Sequence, residues 1–161
     1  MTRAVIAFGA NLGDREATIA SAMRALAETP GVEVIAMSPV YETPAMRDEG
    51  VDYDAPGYLN GVVVAETSLE AHALLDVLQR VESQHGRVRT QHWGDRTLDL
   101  DLIDLGGTVI SDDRLELPHP RAWQRAFVLQ PWLDIEPDAV LAGRGPVARL
   151  RDEAHDEVVR R

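Results

Sequence analysis

Two aspartates separated by one residue, Asp99 and Asp101, are the feature of the sequence that most directly suggests chemistry. They alternate with Leu98, Leu100 and Leu102, and this two-residue period predicts a β-strand with both carboxylates on one face. Two carboxylates held side by side repel each other unless a positive charge lies between them. A divalent cation such as Mg²⁺, bound by carboxylates, water and phosphate oxygens, would supply that charge.

Arginines stand on both sides of the acidic pair. Arg96 lies three residues before Asp99, and Arg87 and Arg89 follow Gly86 further upstream. A polar stripe on a half-exposed strand explains the two aspartates alone about as well as a metal site does. The arginines favour the metal site, because guanidinium groups around a carboxylate pair are typical of polyphosphate binding.

The composition excludes several other classes of function. The chain has 161 residues, which suits one domain over 1–161, and its net charge of −11 argues against binding of nucleic acid or anionic membrane. Neither cysteine nor lysine occurs, which excludes thiolate chemistry, a Walker A loop and Schiff-base catalysis. The apolar runs are too short to cross a bilayer, and the N-terminus lacks a signal-peptide pattern, so we expect a cytoplasmic protein.

The apolar pattern predicts the elements that must position these groups. We expect strands at 4–8, 32–40 and 58–66 and around the acidic pair, and helices at 15–28 and 69–84 with Asp14 and Ser68 as N-caps. A turn at 106–107 suggests a hairpin, and residues 45–57 suggest a long loop. This order predicts an α+β domain with a mainly antiparallel sheet and helices on one face. To residues 137–161 we assign structural cover only.

Two further groups of residues could form a pocket. Tyr58 and Asn60 share a strand face next to the long loop, which could line a pocket for a flat ring. Taken alone, a strand-edge tyrosine with an asparagine at a bulge is the better explanation. His119, fixed between two prolines, begins a second cluster of cations and aromatic rings that includes Arg125 and Phe127.

Longer segments resemble the 6-hydroxymethyl-7,8-dihydropterin pyrophosphokinase family. They are FGANLGDR from Phe8, YETP from Tyr41, YLN from Tyr58, ExxHGRVR from Glu82, WGDRTLDLDL from Trp93 and LPHPRAWQRAFVL from Leu117. They run in the family's order from residue 4 to about residue 135. The resemblance implies a ferredoxin-like α+β sandwich. It also implies a Mg²⁺-dependent diphosphokinase of folate biosynthesis, which transfers diphosphate from ATP to the pterin hydroxymethyl group and releases AMP.

The resemblance also implies which residues form the site. Two Mg²⁺ ions would be held by Asp99 and Asp101, which with Arg87 and Arg96 would be the catalytic residues. The residues implied for ATP are Glu82, Arg87, Arg96, Arg114, His119 and Arg125. Those implied for the pterin are Thr43, Pro44, Met46, Tyr58, Asn60, Trp93 and Phe127. In that pocket Tyr58 and Phe127 would enclose the ring and Asn60 would read its edge. We expect no partners beyond these small molecules, and a monomer.

Two other classes of protein remain open at this point. A nucleotide cyclase or a polymerase-type palm also uses paired acids, but it would not explain the residues of the ring pocket. A small-molecule sensor on a similar fold would have no need for an acidic pair among arginines. The family's reaction instead needs charge neutralisation and positioning, with attack on the β-phosphorus of ATP.

Overall fold

The structure, a computed structural model, describes residues 1–11, 13–47, 50–52, 57–86 and 98–161, without the side chains of 45–47 and 50–52. In chain order the strands are β1 (Thr2–Ala10), β2 (Val32–Met37), β3 (Tyr41–Thr43), β4 (Ala45–Arg47), β5 (Gly50–Asp52), β6 (Tyr58–Thr67), β7 (Leu98–Leu105), β8 (Ile110–Ser111), β9 (Glu116–Leu117), β10 (Val140–Leu141), β11 (Gly145–Pro146) and β12 (Val159–Arg160). The helices are α1 (Arg15–Ala27), α2 (Ala71–Gln84), α3 (Ala126–Ile135) and α4 (Val147–Glu153), with a 3₁₀ turn at Ala122–Gln124.

The central sheet has six strands. Its order is β12-β3-β6-β1-β7, and β2 also pairs with β6. Every pairing among these strands is antiparallel. The expected strands at 4–8 and 58–66 are therefore confirmed and are slightly longer than predicted, whereas the strand expected over 32–40 ends at Met37. The small pairs β4–β5, β8–β9 and β10–β11 lie outside this sheet.

Strand β1 is buried on both faces, and this corrects one expectation. Ile6 and Phe8 pack with α1 and α2 in one core, whereas Val5 and Ala7 pack with α3 and α4 in a second core. The prediction that the helices cover one face is therefore wrong. The physical reason is that residues 4–8 are apolar at every position, so each face of the strand needs its own cover.

Helix starts were predicted with mixed success. Asp14 caps α1 as expected, since its carboxylate accepts a hydrogen bond from the Ala17 N–H at 3.0 Å. Ser68 does not cap α2: the helix begins at Ala71, and Glu70 accepts from the Ala73 N–H at 2.9 Å. A glutamate at this position can accept from the same unpaired N–H groups of the first helical turn as a serine, because its side chain is longer.

The hairpin expected at 106–107 is not formed. Strand β8 pairs with β9 and not with β7. The outer edge of β7 is used differently, because the carbonyl of Ile103 accepts from the His119 N–H at 2.9 Å. Among the described residues, no helix has the length and apolar character needed to cross a membrane.

Candidate active site

A cavity of about 250 Å³ lies between the sheet and the start of α3. Its lining includes eight residues that the resemblance implies for the site: Thr43, Pro44, Tyr58, Asn60, Asp99, Asp101, Arg125 and Phe127. It also includes Ala7, Phe8 and Gly9 of β1, which sequence reasoning did not assign to the site. Phe8 and Gly9 begin the matching segment FGANLGDR, which is a local signal for this region. The pairing of β1 with β7 that brings all three residues to the site is not readable from the sequence.

The acidic pair is presented by β7 as its alternation predicts. Leu98, Leu100 and Leu102 are buried in the core under α1 and α2, so Asp99 and Asp101 project from the opposite face. Across the ladder, Gly9 lies opposite Asp99 and Ala7 lies opposite Asp101. Because these two neighbours are small, β1 places no bulky side chain beside the carboxylates.

A buried glutamate fixes the backbone between the two aspartates. Glu82 of α2 is 4 % exposed, and its Oε2 accepts from the Leu100 N–H at 2.9 Å. Leu100 lies between Asp99 and Asp101 in β7, so this bond holds the edge strand in place. The structure therefore places the Glu82 carboxylate on the α2 side of β7, and its predicted role in ATP binding stays a prediction.

Phe127 and Arg125 form the wall of the cavity contributed by α3. The Arg125 guanidinium carbon lies 5.5 Å from the centroid of the Phe127 ring, within the range of a cation–π contact. Burial lowers the pKa of Arg125, and the Asp101 carboxylate acts in the opposite direction. The guanidinium is thus a fixed positive charge beside both the ring and the acidic pair.

The opposite wall holds its amide in a defined orientation. Asn60 is 6 % exposed, and its Nδ2 donates to the Thr43 hydroxyl at 2.8 Å and to the Tyr58 carbonyl at 3.4 Å. A Cβ added to Gly9 would lie 3.2 Å from Asn60 Oδ1. Glycine at position 9 therefore leaves room for the amide next to the acidic pair.

His119 lies near the cavity without lining it. Its Nδ1 accepts from the Arg121 N–H at 3.2 Å, so the neutral ring carries its proton on Nε2. Burial is the main influence lowering the pKa of His119; Asp101 opposes this and Arg125 reinforces it. The histidine therefore interacts electrostatically with Asp101, and its predicted role in ATP binding stays a prediction.

Some predicted residues lie elsewhere. The Arg114 guanidinium binds Asp76 of α2 at 2.5 Å and is exposed, so the structure does not bring it to the cavity. Arg87, Arg89, Trp93 and Arg96 lie outside the described residues, as does the side chain of Met46. The roles predicted for these residues stay predictions.

The fold and the cavity together define a class of protein. An antiparallel α+β sandwich that places a carboxylate pair, a half-buried arginine and aromatic rings around one cavity is suited to transfer of a phosphoryl group to a planar substrate. The comparisons agree with this class. The family model described as 7,8-dihydro-6-hydroxymethylpterin-pyrophosphokinase matches residues 5–137, and the chain belongs to this family.

Relatives extend the match over most of the chain. A protein of Methylorubrum extorquens named 2-amino-4-hydroxy-6-hydroxymethyldihydropteridine pyrophosphokinase is 43% identical over 143 residues, which cover 89% of this chain and 88% of the relative. A protein of the same name from Haemophilus influenzae is 37% identical over 150 residues, which cover 93% of this chain and 91% of the relative. The expected function, transfer of diphosphate to a hydroxymethyl dihydropterin with ATP as co-substrate, is confirmed at the level of the family, and the cyclase and sensor alternatives are set aside.

Solved structures support the fold. A crystal structure of an HPPK-DHPS in complex with substrates gives a TM-score of 0.71 at 14% identity over 94% of this chain. A crystal structure of a Plasmodium falciparum HPPK-DHPS gives a TM-score of 0.69 at 15% identity over 95% of this chain. The chain spans 43% of the length of each of these larger proteins. The expected ferredoxin-like α+β architecture is thereby confirmed.

Proposed function

We propose that this protein transfers diphosphate from ATP to 6-hydroxymethyl-7,8-dihydropterin by using two Mg²⁺ ions bound to Asp99 and Asp101. The observation that carries the proposal is that both aspartates line the same cavity as Tyr58, Asn60 and Phe127. The groups that would neutralise a triphosphate and those that would hold a flat ring are therefore adjacent. We further propose that residues 1–161 act as a single, monomeric, cytoplasmic domain. Sedimentation velocity tests the monomer, which should have the 17.7 kDa mass of one chain.

The donor set fits Mg²⁺. Among the residues that the structure describes, no group of three or more acids, histidines or cysteines gathers around one point. Mg²⁺ commonly takes one or two carboxylates and completes its shell with water and substrate phosphates, so the pair Asp99 and Asp101 suffices. When bound, the ions would neutralise phosphate oxygens and lower the pKa of the substrate hydroxyl.

The other side chains have positioning and electrostatic roles. Arg125 would bind phosphate oxygens, since a guanidinium offers several donors in a fixed plane. Tyr58 and Phe127 would contact the two faces of the pterin, and the oriented amide of Asn60 would bond its polar edge. Holding the hydroxymethyl oxygen in line with the β-phosphorus, while water is displaced from the cavity, makes attack and departure of AMP an oriented unimolecular step.

The proposal predicts that the two aspartates are required for turnover. With ATP, Mg²⁺ and the pterin alcohol, D99N and D101N should each lower the rate of AMP formation by a factor on the order of 10³, because an amide neutralises no metal charge. The control is D104N, since Asp104 lies on the same strand but outside the cavity. It should retain the wild-type rate.

A binding measurement separates the metal role from other causes of inactivity. In an electron paramagnetic resonance titration with a non-hydrolysable ATP analogue, Mn²⁺ should bind the wild type and D104N, and its binding should weaken in D99N and D101N. Wild-type turnover or wild-type Mn²⁺ affinity in both cavity variants would contradict the assignment.

A further inference from the structure

The C-terminal tail, residues 154–161, bonds to α3 and β3, two elements that carry opposite walls of the cavity. At one end, Asp156 lies at the start of α3. At the other end, β12 pairs antiparallel with β3, with Val159 opposite Glu42 and Arg160 opposite Tyr41. The tail therefore connects the helix that carries Phe127 with the strand that leads into the opposite wall.

Helix α3 begins without a capping side chain of its own. Its N-cap residue is Arg125, whose guanidinium can only donate and so cannot bond the N–H groups at the helix start. The N–H of the fully buried Ala126 donates instead to Asp156 Oδ1 at 2.8 Å. The tail thus supplies the cap that a cavity arginine at the N-cap position cannot supply.

The carboxylate of Asp156 also matters through its charge. A cation at a helix N-terminus is unfavourable, because the helix dipole is positive there. Asp156 acts on Arg125 as a nearby negative charge and favours the charged guanidinium, against the effect of burial. One tail residue therefore serves both the hydrogen bond and the charge balance at the start of α3.

The other end of the tail is held at β3 by ion pairs and a backbone hydrogen bond. The Arg161 guanidinium binds the carboxylates of Glu42 and Glu16, each at 2.9 Å, and the Arg161 N–H donates to the Val40 carbonyl at 2.9 Å. Thr43, one residue after Glu42, is the residue that orients the Asn60 amide. The tail is thus bonded to the residue that immediately precedes Thr43 in β3.

From these contacts we infer that the tail is a positioning segment for the pterin pocket and that Asp156 is the residue that fixes the first turn of α3, with Phe127 and Arg125 on it. The inference rests on the proposed function, because it takes this cavity to be the pterin site. Asp156 touches neither substrate in this account; it acts through the two residues that do.

The test uses three variants of the full chain. D156A removes the hydrogen bond and the charge, D156N removes the charge but keeps an oxygen acceptor, and D152A removes an exposed acid from neighbouring α4. Each is assayed for kcat, for the KM of pterin and of ATP, and for Tm, with kinetics measured well below the lowest Tm.

D156A should raise the pterin KM roughly five- to thirty-fold, the factor that corresponds to loss of a helix cap. D156N should stay within about twofold of the wild-type pterin KM, since asparagine caps as well as aspartate. The lost charge should affect only the KM of ATP, because Asp156 acts electrostatically on Arg125, the proposed phosphate ligand. D152A should match the wild type. Both KM values of D156A at the wild-type level, even with a lowered Tm, would show a merely structural role and overturn the inference, as would a D156N pterin KM as high as that of D156A.

If D156A does not fold, the pterin KM of R161A tests the inference instead. This variant removes only surface ion pairs at the other end of the tail. A raised pterin KM in R161A supports the inference and an unchanged one overturns it. A wild-type chain that forms no AMP contradicts the proposed function itself. An active wild type with an unaffected D156A contradicts only the role of the tail.

Discussion

Asp99 and Asp101 lie side by side in a setting that reduces their mutual repulsion. The Arg125 guanidinium lies at the same cavity, and Asp101 is open to solvent, where charge interactions are screened. The exposed carboxylate of Asp101 is accessible to cations from solution. At this scale the site is an assembly of charges that a polyphosphate with its metal ions would complete.

Tyr41 offers a residue-scale test of stability. Its hydroxyl donates to the Asp134 carboxylate, and burial, followed by this hydrogen bond, raises the pKa of Tyr41 to about 12. Below pH 10 the phenol is protonated in both the folded and unfolded chain, so its stabilising contribution is fully present. As pH rises from 10 through 12 the unfolded chain ionises first, and the contribution is lost.

Y41F should therefore lower the free energy of unfolding by roughly 1 kcal/mol at pH 8, the typical value of a lost hydrogen bond. The difference in unfolding free energy between wild type and Y41F should narrow as pH rises from 10 to 11.5. Over this range the tyrosine ionises in the unfolded wild type, which favours unfolding, whereas Y41F has no such group. Denaturant unfolding at several pH values measures this gap. A gap that stays constant over this range would contradict the assigned role of Tyr41.

At the scale of elements, the cavity depends on how three strands fit together. Strand β1 lies between β6 and β7, and Phe8 is opposite Gly61 on β6. A Cβ at Gly61 would come within 2.2 Å of the Phe8 ring, which is itself 2% exposed and cannot move into solvent. The missing side chain at Gly61 is thus a packing requirement of the sheet.

G61A should destabilise the chain by about 1–3 kcal/mol, as overpacking of a core does. Adding F8L to G61A should recover part of that loss, because a smaller side chain at position 8 leaves space for the new methyl group. Chemical denaturation of the wild type, both single variants and the double variant gives the coupling energy. Purely additive effects, or a G61A as stable as the wild type, would disprove the contact.

The elements also show what the sequence can and cannot predict. The alternation around Asp99 and the cap at Asp14 are local signals, so the strand face and the start of α1 were predicted correctly. The partners of Glu82 and Arg114 depend on how α2 packs, because one bonds a backbone N–H of β7 and the other bonds Asp76. Such long-range contacts leave no periodic trace in the sequence.

At the scale of the whole molecule, the sheet separates two cores and the cavity opens on one side of it. Helices α1 and α2 cover the face away from the cavity, whereas α3 and α4 cover the face that contains it. After α4 the tail runs to β3, where β12 forms the outermost strand of the sheet. The resemblance implies the class of fold, but only the tertiary structure shows that the tail bonds to two elements that carry the cavity walls.

The most direct test is a crystal structure of the full chain with a non-hydrolysable ATP analogue, the pterin alcohol and Mn²⁺, whose anomalous signal locates the ions. We predict two ions bound by the carboxylates of Asp99 and Asp101, with the pterin ring between Tyr58 and Phe127. This prediction is contradicted by nucleotide bound at another place, with both carboxylates directed into bulk solvent.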